Sequence, residues 1–200
     1  LIANRGEIAI RIIKACRQLN IKTVAVCSTA DRHAWYTQLA DEVVCIGPAP
    51  AAQSYLNAEA ILMAAINTHA DAIHPGYGFL AENADFAAMC AECGITWIGP
   101  KASQIRLMGD KSLAKDYARE QAVPVLAGAS IQGLAWPEIK QMALKMGFPL
   151  VLKASHGGGG KGIRVLADAQ ALHQQLRSAR QEAAASFLND AMYLEHFLPN

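Results

Sequence analysis

The sequence predicts an α/β protein in two parts, a doubly wound parallel sheet followed by a small α+β unit, and three observations support that expectation. Over residues 1–100, short β-rich runs alternate with stretches of helical periodicity, the pattern of a parallel sheet wrapped by helices. From residue 101 to about 121 the chain turns helical and more polar and offers no strand. Beyond Pro124, strands and helices resume around four consecutive glycines, Gly157, Gly158, Gly159 and Gly160.

In the first part, strands are expected at residues 1–3, 23–27, 42–46, 72–74 and 96–98, with helices near 8–19, 34–40, 58–69 and 85–93. Ile8, Ile12, Ala15 and Leu19 repeat at i, i+4, i+7 and i+11, so they line one face of the first helix. In the polar stretch, Asp110 or Ser112 supplies a helix start. The second part reads as a strand at 123–126, a helix at 137–146 and a strand at 149–154. After the glycine loop come a strand at 162–166, a helix at 168–187 and a last strand at 191–197. No internal repeat is visible.

Composition excludes several classes. Of 200 residues, 52% are apolar and 18% charged, and 18 basic against 17 acidic side chains leave a formal charge of +1 with no basic face for nucleic acid. No apolar run approaches the ~20 residues that span a bilayer, and no secretory leader pattern opens the chain, so a soluble cytoplasmic protein is expected. Five cysteines form no disulfide framework. Cys90 and Cys93 make a CxxC, but in an apolar helical stretch without histidines at ligand spacing, where buried hydrophobes are the expectation. The opening LIA reads as the tail of a strand and the end as HFLPN after another, so a piece of a longer protein is expected.

The strongest chemical signal is VLKASHGGGGKGIRVL. Four glycines together give up much backbone entropy on folding, which suits a loop whose bare amides converge on phosphate oxygens, with Lys153 and Lys161 adding charge. The loop joins two strands and lacks the GxxxxGK[ST] spacing, so it is not a P-loop; the alternative is a flexible hairpin connection. LIANRGEIAIR fails the GxGxxG test and reads as a structural βα corner, with Glu7 complementing the helix dipole. AIHPGYGFLAEN puts Tyr77 between two glycines at the carboxyl edge of the sheet, as a ligand-side group or a packed tyrosine in a tight turn. Lys111, at a helix start, either reaches an anion or is solvated. In MYLEHFLPN, Glu195 at a strand end is able to accept from an adenine amino group, although spacing alone gives it a solvated reading.

In order, IANRGEIA, AIHPGYGFLAEN, IGP, LMGDK, VLKAS and GGGGKG resemble biotin carboxylase of the ATP-grasp superfamily along the whole chain. The resemblance implies a Rossmann-like parallel sheet (pre-ATP-grasp) domain at 1–100, a helical linker at 101–122, and a small α+β ATP-grasp lid domain at 123–200, truncated before a C-terminal catalytic domain. It implies ATP contacts from Lys111, Lys153 and Gly157 to Gly160, an adenine-holding hinge at Glu195, His196, Phe197 and Leu198, and a place for Tyr77 near the biotin and bicarbonate pocket. In that family ATP and bicarbonate give carboxyphosphate, whose carbon dioxide passes to biotin on a carrier protein, with Mg2+ or Mn2+ required. The resemblance points to the acetyl-CoA carboxylase type, serving fatty acid synthesis, with biotin carboxyl carrier protein as partner. It also admits a homodimer of the full-length protein, for which Lys14 and Gln18 of the first helix offer only generic polar contacts.

His156 stands where some members have a fifth glycine, Ala127 where proline is common, and His196 where lysine is frequent. No catalytic residue and no metal ligand is expected within these 200 residues, because the family's glutamates for metal and catalysis belong to the later domain. Residues 1–200 are therefore expected to be inactive alone. The alternatives are another ATP-grasp ligase or a nucleotide-binding module without chemistry.

Overall fold

The computed structural model of the chain describes residues 1–155, 163–187 and 190–198. It forms two compact units, Leu1–Arg106 and Leu107–Asn200.

In the first unit, α1 (Gly6–Gln18), β1 (Val24–Ser28), α2 (Trp35–Leu39), β2 (Glu42–Gly47), α3 (Ala58–Asn67), β3 (Ala72–Ile73), α4 (Ala84–Glu92) and β4 (Thr96–Trp97) follow in order. β1 pairs with β2 and β3 with β4, both parallel. Ile2 joins the two pairs through parallel bridges to Ala25 and His74. The expected strand at 1–3 is thus reduced to a bridge, but its backbone still closes the sheet. Ile2 N–H donates to the Val24 carbonyl at 2.8 Å and Ala3 N–H to that of His74 at 2.9 Å.

Both sheet faces are covered, which explains why the strand β1 reads VAVC with no polar alternation. Ala25 and Cys27 pack with Ile2, Ala9, Ile12, Ile13 and Tyr36 of the α1 and α2 side. Val26 points the other way, into Ile46, Ile61, Ala65, Ile73 and Phe86 under α3 and α4. Asn57 and Asn83 start those two helices, each side-chain oxygen accepting from a backbone N–H three residues on (Ala60 and Phe86). Cys90 lies wholly in this core, and burial, followed by the nearby Cys93, pushes its thiol up to about 11. That is the buried-hydrophobe role expected of it.

Across the boundary runs α5 (Ala102–Gly109), and α6 (Lys111–Glu120) opens the second unit's main body. The Asp110 carboxylate caps α6 by accepting from Ser112 and Leu113 N–H at 2.7 and 3.1 Å. β5 (Gly128–Ser130), α7 (Trp136–Met146), β6 (Leu150–Ala154), β7 (Arg164–Leu166), α8 (Ala169–Phe187) and β8 (Met192–His196) complete it. The four strands form an antiparallel sheet in the order β5-β8-β6-β7. One face, with Leu150, Leu152, Ala154, Met192 and Leu194, packs beneath Ile139 and Ala143 of α7 and Leu172, Leu176, Ala179 and Ala183 of α8.

One strand is not where the sequence places it. Residues 123–126 form no strand, and β5 begins at Gly128 instead. Pro124 has no N–H to donate to a ladder. Gly128 lies so close to β8 that a Cβ there would sit 2.5 Å from the Tyr193 ring and 2.7 Å from the Leu194 carbonyl, so only glycine fits.

Candidate functional site

The antiparallel sheet of the second unit has one face given to its core, which leaves the alternate residues on the other. On adjacent strands β6 and β8, Val151 faces Glu195 and Lys153 faces Tyr193. Side chains two apart on a strand share a face, so Lys153 and Glu195 are diagonal neighbours on this second face. The Glu195 carboxylate is only 3% exposed and pairs with two ammonium groups, Lys153 from β6 and Lys115 from α6. Lys115 also stands 5.2 Å from the centre of the Tyr193 ring.

Lys111, one helical turn before Lys115, joins the same surroundings through Ser155. Its backbone N–H donates to the Ser155 carbonyl at 3.2 Å and its ammonium approaches the same oxygen at 3.5 Å. Burial lowers the pKa of Lys111, the charge of Lys153 lowers it further, and Asp110 partly restores it. Lys115 is lowered by burial, then by Lys153 and Arg119. In both, burial acts first and the positive charge of Lys153 second. Lys115 and Lys153 on Glu195, with Lys111 beside Lys153, make a place where an added anion is stabilised.

Of the sequence-predicted residues, the structure therefore brings Lys111, Lys153 and Glu195 into one cluster. Glu195 is corrected from solvated to buried, since its strand is central and α6 lies over its face. Its two partners occupy the carboxylate, so any contact with a base edge falls to the backbone. His196 N–H donates to the Ala127 carbonyl at 3.0 Å and Phe197 N–H to that of Pro149 at 3.2 Å, while Leu198 N–H has no partner among the described residues. Gly157, Gly158, Gly159 and Gly160, with His156 and Lys161, lie outside the described residues. Lys115 was missed by sequence reading, although its signal was present: it sits four residues after Lys111 and so shares its helix face.

Among the described residues no group of three or more His, Cys, Asp or Glu is placed to hold a metal ion. The acid of the cluster is already neutralised by two lysines. These donors do not fit a divalent cation, and no step below runs through one.

Tyr77 belongs to the first unit. Its hydroxyl donates to Glu7 at 2.9 Å and its ring is exposed, so it is not the packed tyrosine of a tight turn. The loop carrying it is fixed by Asn4, whose amide donates to the carbonyls of Pro75 and Tyr77 at 2.7 and 2.8 Å. Gly76 has φ +66 and a Cβ there would meet the Asn4 amide at 2.8 Å, which requires glycine twice over. At the IANRG corner, Arg5 pairs with Asp31 at 3.2 Å and lies 5.3 Å from the centre of the Tyr55 ring.

Two family models cover almost the whole chain: the one described as Biotin carboxylase, N-terminal domain matches residues 1–105, and that described as Carbamoyl-phosphate synthase L chain, ATP binding domain matches 110–200. The biotin carboxylase of Haemophilus influenzae is 52% identical over 203 residues, covering 100% of this chain and 45% of that protein. The biotin carboxylase domain dimer of Hydrogenobacter thermophilus 2-oxoglutarate carboxylase, solved with MgADP, ADP and bicarbonate, superposes with a TM-score of 0.94 at 43% identity. It covers 98% of this chain and 43% of that one. The Campylobacter jejuni biotin carboxylase-β,γ-ATP complex gives 0.93 at 42%, covering 100% and 45%. The chain thus spans less than half the length of these relatives. With likeness of sequence and fold running unbroken from its first residue to its last, the chain belongs to the biotin carboxylase family.

Proposed function

We propose that this chain is the nucleotide-holding front portion of an ATP-dependent biotin carboxylase, which carboxylates biotin on a carrier protein with bicarbonate. The observation that carries the reading is the buried Glu195 paired with Lys115 and Lys153, with Lys111 close enough to Lys153 to feel its charge. In it, Lys111 and Lys153 contact the ATP phosphates, the backbones of Gly157 to Gly160 close over them, and the segment Glu195, His196, Phe197 and Leu198 holds the adenine. Leu198 N–H, without a partner among the described residues, donates to the base edge in this reading. The names of the relatives support the reading: one was solved with a β,γ-ATP ligand and another with MgADP and bicarbonate.

The chemistry of this portion is binding and orientation. An ammonium aimed at phosphate oxygens holds the triphosphate and stabilises charge that builds on it as the bond to the transferred phosphoryl group loosens. Domain limits at 1–100, 101–122 and 123–200, Tyr77 near the biotin and bicarbonate pocket, and Mg2+ or Mn2+ held by later residues belong to the same proposal. So do an acetyl-CoA carboxylase role in fatty acid synthesis, a biotin carboxyl carrier protein partner, a homodimer and a cytoplasmic location. Residues 1–200 alone are inactive in this reading, and turnover of free biotin with ATP and bicarbonate above background would refute that part.

The decisive experiment is calorimetric titration of the intact protein with a non-hydrolysable ATP analogue. Losing a charge-assisted contact of about 2–3 kcal/mol in Lys153→Ala should weaken binding about 30- to 150-fold. Affinity unchanged within about twofold would remove Lys153 from the site.

A further inference from the structure

Cys27 and Cys45 are direct partners across the parallel strands β1 and β2. Paired positions on neighbouring strands lie about 4.8 Å apart, inside the roughly 4.4–6.8 Å that a disulfide spans between Cα atoms. The parallel register puts both side chains on the same face of the sheet. Their settings differ sharply. Cys27 is buried in the core beneath α1 and α2, whereas Cys45, on the strand at the sheet's edge, is exposed.

The edge position also gives Cys45 polar neighbours. Its thiol donates to the Gly47 carbonyl at 3.8 Å and feels the positive charge of the Arg32 guanidinium. Burial acts to raise its pKa, but the Gly47 backbone, Arg32 and Cys27 together outweigh burial and bring it below the ordinary thiol value. An accessible thiol with a guanidinium beside it is the environment of an oxidisable cysteine.

We propose that Cys45 is an oxidation site for hydroperoxides and that Cys27 is its resolving thiol. The Cys45 sulfur attacks one peroxide oxygen, the O–O bond breaks, and the departing hydroxide takes up a proton as water, leaving a sulfenic acid two electrons more oxidised. The Cys27 sulfur then attacks the Cys45 sulfur. An S–S bond forms, the S–OH bond breaks, and the hydroxide leaves as water with the proton of Cys27. One hydrogen peroxide and two thiols yield one disulfide and two waters, and a dithiol reverses the bond.

The order of events follows from the surroundings. Cys27 is held up chiefly by burial and then by the charge of Cys45. Oxidation of Cys45 to a neutral sulfenic acid removes that charge, so the resolving thiol is released by the step that needs it. Cys90 and Cys93 form no equivalent cross-strand pair, because Cys90 lies within α4 and Cys93 is the residue that ends it.

The test treats the intact protein with hydrogen peroxide, alkylates the remaining thiols, and maps peptides by mass spectrometry. A peptide linking Cys27 to Cys45, lighter by two hydrogens and separated by dithiothreitol, is expected. In Cys27→Ser the sulfenic acid persists and dimedone labels Cys45. Arg32→Ala slows modification of Cys45 by about three- to tenfold. A measurement on the unaltered protein covers the case in which a variant does not fold: iodoacetamide should modify Cys45 at least about threefold faster than Cys93, which is also exposed. Cys45 reacting no faster than Cys93, or crosslinking to any cysteine other than Cys27, would overturn the proposal.

Discussion

Asp31 in the first unit and Glu195 in the second are both well-bonded carboxylates, and they are satisfied in opposite ways. Asp31 in the first unit accepts from the Tyr55 hydroxyl at 2.6 Å, the Ser28 hydroxyl at 3.0 Å and Arg5 at 3.2 Å. Tyr55 in turn accepts from Ser28 N–H, and the Tyr36 hydroxyl lies 3.1 Å from it. Burial works against the Asp31 charge, yet these bonds hold its pKa below the usual carboxylate value. Most of the donors are short, neutral and fixed by packing, so this acid is a brace. Glu195 is more deeply buried, 3% exposed against 21% for Asp31, but its partners are two long lysine arms. Such arms are able to turn to another anion without unfolding anything, so this acid keeps a charge in waiting.

Three substitutions or titrations put that contrast under pressure. The largest effect is expected from Glu195→Gln, which leaves two half-buried ammonium groups without their acid and should cost about 1–3 kcal/mol of the second unit's stability. Hydrogen exchange of β6 and β8 amides reads this locally. Nucleotide affinity should hold or rise, because Lys153 is no longer shared. A parallel fall of both would mean that Glu195 is a brace like Asp31.

Asp31→Asn should cost about 1–2 kcal/mol, confined to the first unit, by weakening bonds to a charged acceptor. Urea unfolding measures the loss, and nucleotide affinity should be untouched. A change in affinity would blur the distinction between the two acids.

The smallest effect is a proton count. Lys111 and Lys115 have pKa values depressed below 10.5, so between the depressed value and 10.5 the unfolded chain binds more protons, and stability rises with pH across that window. A phosphate beside Lys111 raises its pKa again. Nucleotide binding in that window should therefore take up a fraction of a proton, seen as a buffer-dependent binding enthalpy. Release of protons would contradict the phosphate assignment.

Much of this was legible in the sequence, and the parts that were not share a cause. The capping of α6 by Asp110 is a local signal that survives in a one-dimensional reading, whereas the stripe of Ile8, Ile12, Ala15 and Leu19 was only partly right: α1 buries Ala9, Ile12 and Ile13, and Ala15 and Leu19 are exposed. The β5 position was not legible, since what fixes it is the passage of Gly128 against Tyr193, a contact across 65 residues of sequence. Glu195 was misjudged for the same reason. Whether a glutamate in an alternating strand is wet or buried depends on what covers its face, and here that is α6 from far earlier in the chain. Lys115 shows the opposite failure, because its i+4 relation to Lys111 was in plain view but pointed to no chemistry until the sheet beneath it was known.

The grip of Asn4 on the loop at 75–77 has a practical corollary. Two positions 72 residues apart, Asn4 and Gly76, are physically coupled: a side chain at 76 would collide with the Asn4 amide, and loss of that amide would remove both bonds that hold the loop. A chimera that swaps the histidine–proline–glycine–tyrosine segment from a cousin enzyme must import the asparagine at the front of the polypeptide too, or the transplanted turn will lose its shape.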